Sequence, residues 1–189
     1  MDGSGRAIIS VVTDPMFGGN RRIDRVLAPD FTEALQSIDM EEVRERRDLS
    51  RAEREYLSYV RRLLQGRRDI LQAELERRRR GGDEESLLEL VAAILADAPT
   101  GPSRGEAPVI TIPDEEISLA RRRVERLVSD SHLSDLPALA DEELEEAIAL
   151  IDEEERSLSD LRSRVLQVHD SLQAELVRRW RDRLGGKFA

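Results

Sequence analysis

The chain has 189 residues, of which 37% are charged and only 3% aromatic, with no cysteine and a formal net charge of −10. Without cysteine there is no disulfide framework and no thiolate metal site, no stretch approaches the roughly 20 apolar residues that span a bilayer, and the acidity argues against a DNA binder, which carries a basic face. A composition dominated by Leu, Arg, Glu and Ala is that of long helices and coiled coils, where a thin seam replaces a thick core, and a cytoplasmic location is the simplest expectation.

Residues 1–21 hold Gly3, Gly5, Gly18 and Gly19 and read as a flexible tail, without the apolar run of a secretory signal. Residues 22–39 contain Ile23, Val26, Leu27, Phe31, Leu35 and Ile38, which predict short helical turns interrupted at Pro29. Residues 40–81 predict a first long helix of roughly 60 Å. Only Gly66 interrupts its helix-forming residues, and Leu57, Val60, Leu64, Leu71 and Leu75 recur at coiled-coil intervals. Gly81-Gly82 ends it, as a helix C-terminus should.

Residues 82–97 predict a short helix. Its Leu87, Leu88, Leu90, Val91, Ile94 and Leu95 wrap most of the circumference, so it should be buried. Residues 98–114 form a linker rich in Pro and Gly. An accessory helix is expected over 115–130, a turn over 131–140, and a second long helix over 141–185. The seam of that last helix is Leu158, Leu161, Val165, Val168 and Leu172. Both long segments begin acidic and end basic, which suits the helix dipole. The expected fold is all-α: a long antiparallel two-helix coiled coil, or helical hairpin, with short accessory helices.

Residues 39–80 and 140–181 are one segment written twice at a constant offset of 101 residues (58 to 159), without a gap. Roughly two aligned positions in five are identical, above chance for a biased helical composition. The run Ile70-Leu71-Gln72-Ala73-Glu74-Leu75 returns as Ser171-Leu172-Gln173-Ala174-Glu175-Leu176, and Ser58, Arg61 and Asp69 return as Ser159, Arg162 and Asp170. With each residue advancing about 100°, Arg61, Gln65 and Asp69 fall at about −60°, −20° and +20° from Ser58. They form one polar arc that flanks the seam. Arg reads guanine O6 and N7 with a two-pronged hydrogen bond and neutralises phosphate. A carboxylate accepts from guanine's N–H edge, and a Ser hydroxyl serves phosphate or ribose. The pattern fits a guanine-nucleotide clamp; the bland alternative is an ordinary solvated face of a charged helix.

The run Ser58-x2-Arg61-x3-Gln65-x3-Asp69, together with Arg22-Ile23-Asp24-Arg25-Val26-Leu27 upstream, resembles the signature of the actinobacterial RsiG-type anti-sigma factors. The family pattern is Glu-x3-Ser-x2-Arg-x3-Gln-x3-Asp, once on each helix of an antiparallel coiled coil. The resemblance implies a protein that binds cyclic di-GMP as an intercalated pair. With that ligand it sequesters a sigma factor of the WhiG or flagellar type and represses late sporulation genes. Carried over by position, the ligand-binding residues are Ser58, Arg61, Gln65 and Asp69 with Glu155, Ser159, Arg162 and Asp170. Arg62, outside the pattern but on the same face as Asp69, is a candidate for an additional phosphate contact. Two positions depart from the pattern: Arg54 stands where it has Glu, and Leu166 where it has Gln.

No enzyme is expected. His169 and Asp170 are neighbours whose side chains leave a helix about 100° apart, which makes no dyad. Gly81-Gly82 lacks the Lys-Ser/Thr of a phosphate-cradling loop. Neither direct DNA binding nor membrane association is expected. The competing reading is a ligand-independent coiled-coil adaptor. Gly66 costs about 1 kcal/mol relative to Ala in mid-helix; it either makes room beside Gln65 for a flat base or is tolerated drift.

Overall fold

A computed structural model describes residues 21–81, 112–128, 133 and 136–185. The short apolar helix expected over 82–97 and nearly all of the expected tail and linker lie outside that set. Among the described residues the protein is all-helical, without strands. Four α-helices run α1 Arg22–Val26, α2 Met40–Arg79, α3 Asp114–Leu127 and α4 Asp141–Gly185, with short 3-10 turns at Pro29–Phe31 and Leu136–Ala138. Among these residues no helix is long and apolar enough to cross a membrane.

The termini of the long helices follow from local chemistry. The Asp39 side chain accepts from the Glu42 backbone N–H at 2.8 Å and caps α2. At the other end Gly81 adopts a φ of 69°, a left-handed conformation that costs glycine nothing, and its N–H closes onto the Arg78 carbonyl at 3.0 Å. At the start of α4 the Glu143 carboxylate reaches back to the Ala140 N–H at 2.8 Å.

The cross-helix contacts give the direction of packing. Arg78 meets Asp141 at 2.7 Å, Arg68 meets Asp152 at 2.5 Å, Arg61 meets Glu155 at 3.0 Å, and Arg162 meets Ser58 at 3.0 Å. Residue numbers fall along α2 as they rise along α4, so the two helices lie side by side and antiparallel. Between them run two rows of buried side chains at seven-residue intervals. Val43, Ser50, Leu57, Leu64 and Leu71 come from α2, and Leu144, Ile151, Leu158, Val165 and Leu172 from α4. Val60, Leu75 and Leu176 are also buried, while Leu161 and Val168 pack on this core half-buried. Ser50 is the polar member of the rows, and its hydroxyl is satisfied within α2 by the Arg47 carbonyl at 2.7 Å.

The duplication reaches further back than residues 39–80. Arg22-Ile23-Asp24-Arg25-Val26-Leu27 has its counterpart, at the same offset, in Arg123-Val124-Glu125-Arg126-Leu127-Val128. The contacts repeat with the letters. Arg22 pairs with buried Glu53 at 2.6 Å, and Arg123 with buried Glu154 at 2.7 Å. Glu74 is held by Arg77 and Arg78 at 2.8 and 2.6 Å, and Glu175 by Arg178 and Arg179, both at 2.7 Å. Arg78 donates to the carbonyls of Leu136 and Leu139; Arg179 donates to those of Leu35 and Ile38. Two halves of one chain are thus related by an approximate twofold axis.

Helices α1 and α3 cover one flank of the pair. Arg22 of α1 also binds Glu116 of α3 at 2.6 Å and lies 6.0 Å from the Tyr56 ring. Arg67 donates to the Val128 carbonyl at 2.6 Å. Tyr56 and Arg67 point about 160–180° away from Ser58 around α2. The flank carrying Ser58 and Arg61 is therefore the one α1 and α3 leave uncovered.

Candidate functional site

On that flank six of the sequence-predicted residues come together. Ser58, Arg61 and Gln65 from α2 and Glu155, Ser159 and Arg162 from α4 are all half-buried. Glu155 Oε1 accepts from Arg61 Nη2 at 3.0 Å and from Gln65 Nε2 at 2.6 Å. Arg162 Nε donates to Ser58 Oγ at 3.0 Å. Each serine hydroxyl gives its proton to the carbonyl one turn earlier, Ser58 to Arg54 at 2.7 Å and Ser159 to Glu155 at 2.8 Å. The Ser58 oxygen is thereby free to accept from Arg162 of the opposite helix. Beside the cluster an open groove is lined by Asp152, Glu155, Arg156, Ser159 and Asp160.

The other three predicted residues stand apart. Asp69 and Asp170 are exposed, further along their helices. Asp170 lies 3.4 Å from His169 Nδ1, so these neighbours do approach each other, contrary to the helix-angle expectation. At that length the contact is a weak one. Arg62 is exposed and donates back to the Ser58 carbonyl at 3.4 Å.

Three features of the cluster bear on what it can hold. Arg61 Nε is buried yet has no hydrogen-bond partner among the described residues, and an unmet guanidinium donor is costly. Just beyond, Arg68 donates to Asp152 at 2.5 Å, and that hydrogen bond raises the guanidinium pKa against an opposing effect of burial. Gly66, next to Gln65, offers open space: a Cβ built there meets nothing within 4 Å. Two guanidinium groups, two hydroxyl acceptors and a carboxylate around an approximate twofold axis can hold an anionic ligand that also presents N–H donors.

Sequence reasoning missed the residues that build this scaffold. Burial works against the charge on Arg22, but hydrogen bonds and proximity to Glu116 and Glu53 outweigh it and raise the guanidinium pKa above its ordinary value. Glu53 is pushed up by burial while Arg22 pulls it down. The signal was present in the Arg-x2-Arg spacing shared by residues 22–25 and 123–126.

Comparison with curated proteins finds no match. The model of the RsiG-like family does match, over residues 29–95, a stretch that starts at the first 3-10 turn and contains all of α2 with Ser58, Arg61, Gln65 and Asp69. Over those residues the chain is similar to the RsiG-like family, to which its helix motif also points.

Proposed function

We propose that this protein is an anti-sigma factor whose antiparallel coiled-coil hairpin binds cyclic di-GMP on its uncovered flank and, with the nucleotide between them, holds a sigma factor of the WhiG or flagellar type. The RsiG-like match supports the anti-sigma role. The observation that carries the ligand is the placement of Arg61 and Arg162, one from each copy, in one half-buried cluster on the flank opposite α1 and α3. Cyclic di-GMP has twofold symmetry, two phosphates and guanine edges, and the cluster has two cations and a carboxylate arranged about an approximate twofold.

The contacts within the cluster set an order of events for this reading. Arg61 and Gln65 both rest on Glu155. A phosphate or guanine O6/N7 edge arriving at Arg61 replaces Glu155 as its partner and satisfies the unmet Nε as well. The released Glu155 carboxylate then accepts guanine N1–H and N2–H. Asp69 and Asp170 lie further along their antiparallel helices, toward opposite ends of the cluster, where each meets an outer edge of the stacked nucleotide pair, and Arg62 adds a phosphate contact. The bound nucleotide pair completes a surface for sigma, and a falling nucleotide level releases it. In this reading the protein acts in the cytoplasm as a regulator, not an enzyme, and touches neither DNA nor membrane. Titration calorimetry with cyclic di-GMP, with and without the sigma factor, tests it. Heat that saturates in the sigma-containing cell supports it, and silence in both cells rejects it.

One observation favours the second reading, a ligand-independent adaptor. Val177, Trp180 and Leu184 form an exposed apolar stripe on α4, with Trp180 55% accessible. Sigma binding that is equally strong without nucleotide would select the adaptor.

A further inference from the structure

The internal repeat allows each residue of the cluster to be compared with its own counterpart, and the two halves do not match. Arg61 and Arg162 correspond, as do Ser58 and Ser159. Glu155, however, corresponds to Arg54, and Gln65 to Leu166. The contacts diverge accordingly. Arg61 has a carboxylate partner in Glu155, shared with Gln65. Arg162 has a neutral partner, Ser58 Oγ. Arg54 sits one turn before Ser58, half-buried, and lies 4.0 Å from its neighbour Glu55. One half of the site is thus an Arg–Gln–carboxylate triad; the other has two guanidinium groups and a leucine.

We infer, resting on the ligand reading above, that the two halves have separate tasks: the Glu155 half discriminates guanine from adenine, and the Arg54 half binds phosphate without reading the base. The chemistry is a matter of donors and acceptors. Guanine's N1–H and N2–H₂ need an acceptor; Glu155 is the one carboxylate among the six clustered residues, whereas its counterpart Arg54 and Arg162 carry only donors, Leu166 carries neither, and the Ser58 oxygen already accepts from Arg162. A guanine edge turned toward Arg54 would set donor against donor. Phosphate oxygens accept from any guanidinium, so that half gains affinity from charge alone. A symmetric ligand pair is therefore held unequally, with base recognition concentrated on Glu155, Gln65 and Arg61.

The test uses the full chain with its sigma factor and two probes, cyclic di-GMP and cyclic di-AMP, titrated at low and high salt. Three variants, each checked for helical circular dichroism, are compared with the parent. Glu155→Gln, which turns an acceptor-only group into a mixed one, should cut the preference for cyclic di-GMP by roughly tenfold or more. Arg54→Ala should weaken both nucleotides alike and flatten the salt dependence, leaving the preference intact. Arg54→Glu, which gives the second half its acceptor, should raise the preference. Equal loss of preference in Glu155→Gln and Arg54→Ala, or loss in neither, overturns the division of tasks while the ligand reading stands. A parent protein that binds neither nucleotide overturns both.

Discussion

Arg162 Nε donates across the helix pair to Ser58 Oγ at 3.0 Å, whereas the repeat-related Arg61 turns to Glu155 instead of Ser159. Neither contact lies within the buried apolar rows. Arg162→Ala and Arg61→Ala should therefore each change stability by no more than about 1 kcal/mol, as for exposed or partly exposed polar contacts. Each should nevertheless abolish nucleotide-dependent sigma binding. A pull-down with cyclic di-GMP, paired with urea titration of each variant, reads both effects. Sigma capture at parent levels by either variant would remove these arginines from the site.

The seam carries the stability. Leu57, Leu64, Leu158 and Leu172 are at most 1% exposed. Leu64→Ala should cost about 2–5 kcal/mol through lost burial and a cavity, read as a lower urea midpoint with little change in slope. Leu119, 49% exposed on α3, is the control, and Leu119→Ala should stay within about 0.5 kcal/mol.

Acid should loosen the ends of the pair. Hydrogen bonds from Arg178 and then Arg179 hold the Glu175 carboxyl down at about 2, and those from Arg77 and Arg78 lower Glu74 too, against an opposing push from burial. A folded-state pKa below the unfolded one, about 4.3, means stabilisation that is whole above that value. It is lost as pH falls toward about 2. Urea midpoints at pH 7, 4 and 2.5 should fall, and the fall should be shallower in a Glu74→Gln/Glu175→Gln double variant. A slope unchanged by the double variant would place acid sensitivity elsewhere.

Arg22 binds Glu53 and Glu116 together. Arg22→Ala leaves Glu53, 4% exposed, buried without its cation, which should cost about 3 kcal/mol. Arg22→Ala combined with Glu53→Leu should recover much of that loss, because a buried ion pair is often replaceable by apolar packing. The double-mutant cycle measures the coupling directly.

Gly66→Ala should stabilise α2 by up to about 1 kcal/mol, since the new methyl group meets open space and helix propensity improves. Thermal melting checks this. Weaker cyclic di-GMP binding in the same variant would show that the space serves the ligand.

The long helices were legible because their signals are local and redundant. Gly81-Gly82 and the seven-residue spacing from Leu57 to Leu71 state a helix boundary and a face without help from distant residues. The cluster around Ser58, Arg61 and Arg162 was legible through repetition. What escaped was long-range. Arg22 meeting Glu116, or Arg179 reaching the carbonyls of Leu35 and Ile38, depends on where the chain returns in space. Helix periodicity carries no such information. The departure at Arg54 was visible as a letter, but its consequence needed the opposite helix and Glu155 beside Arg61.

The approximate twofold axis lies within a single covalent chain, joining what would otherwise be two subunits. Tethered partners meet at an effective concentration set by their connector, not by how much protein the cell makes. Dilution cannot separate the two arginines, so a site they share stays assembled however little of the protein is present.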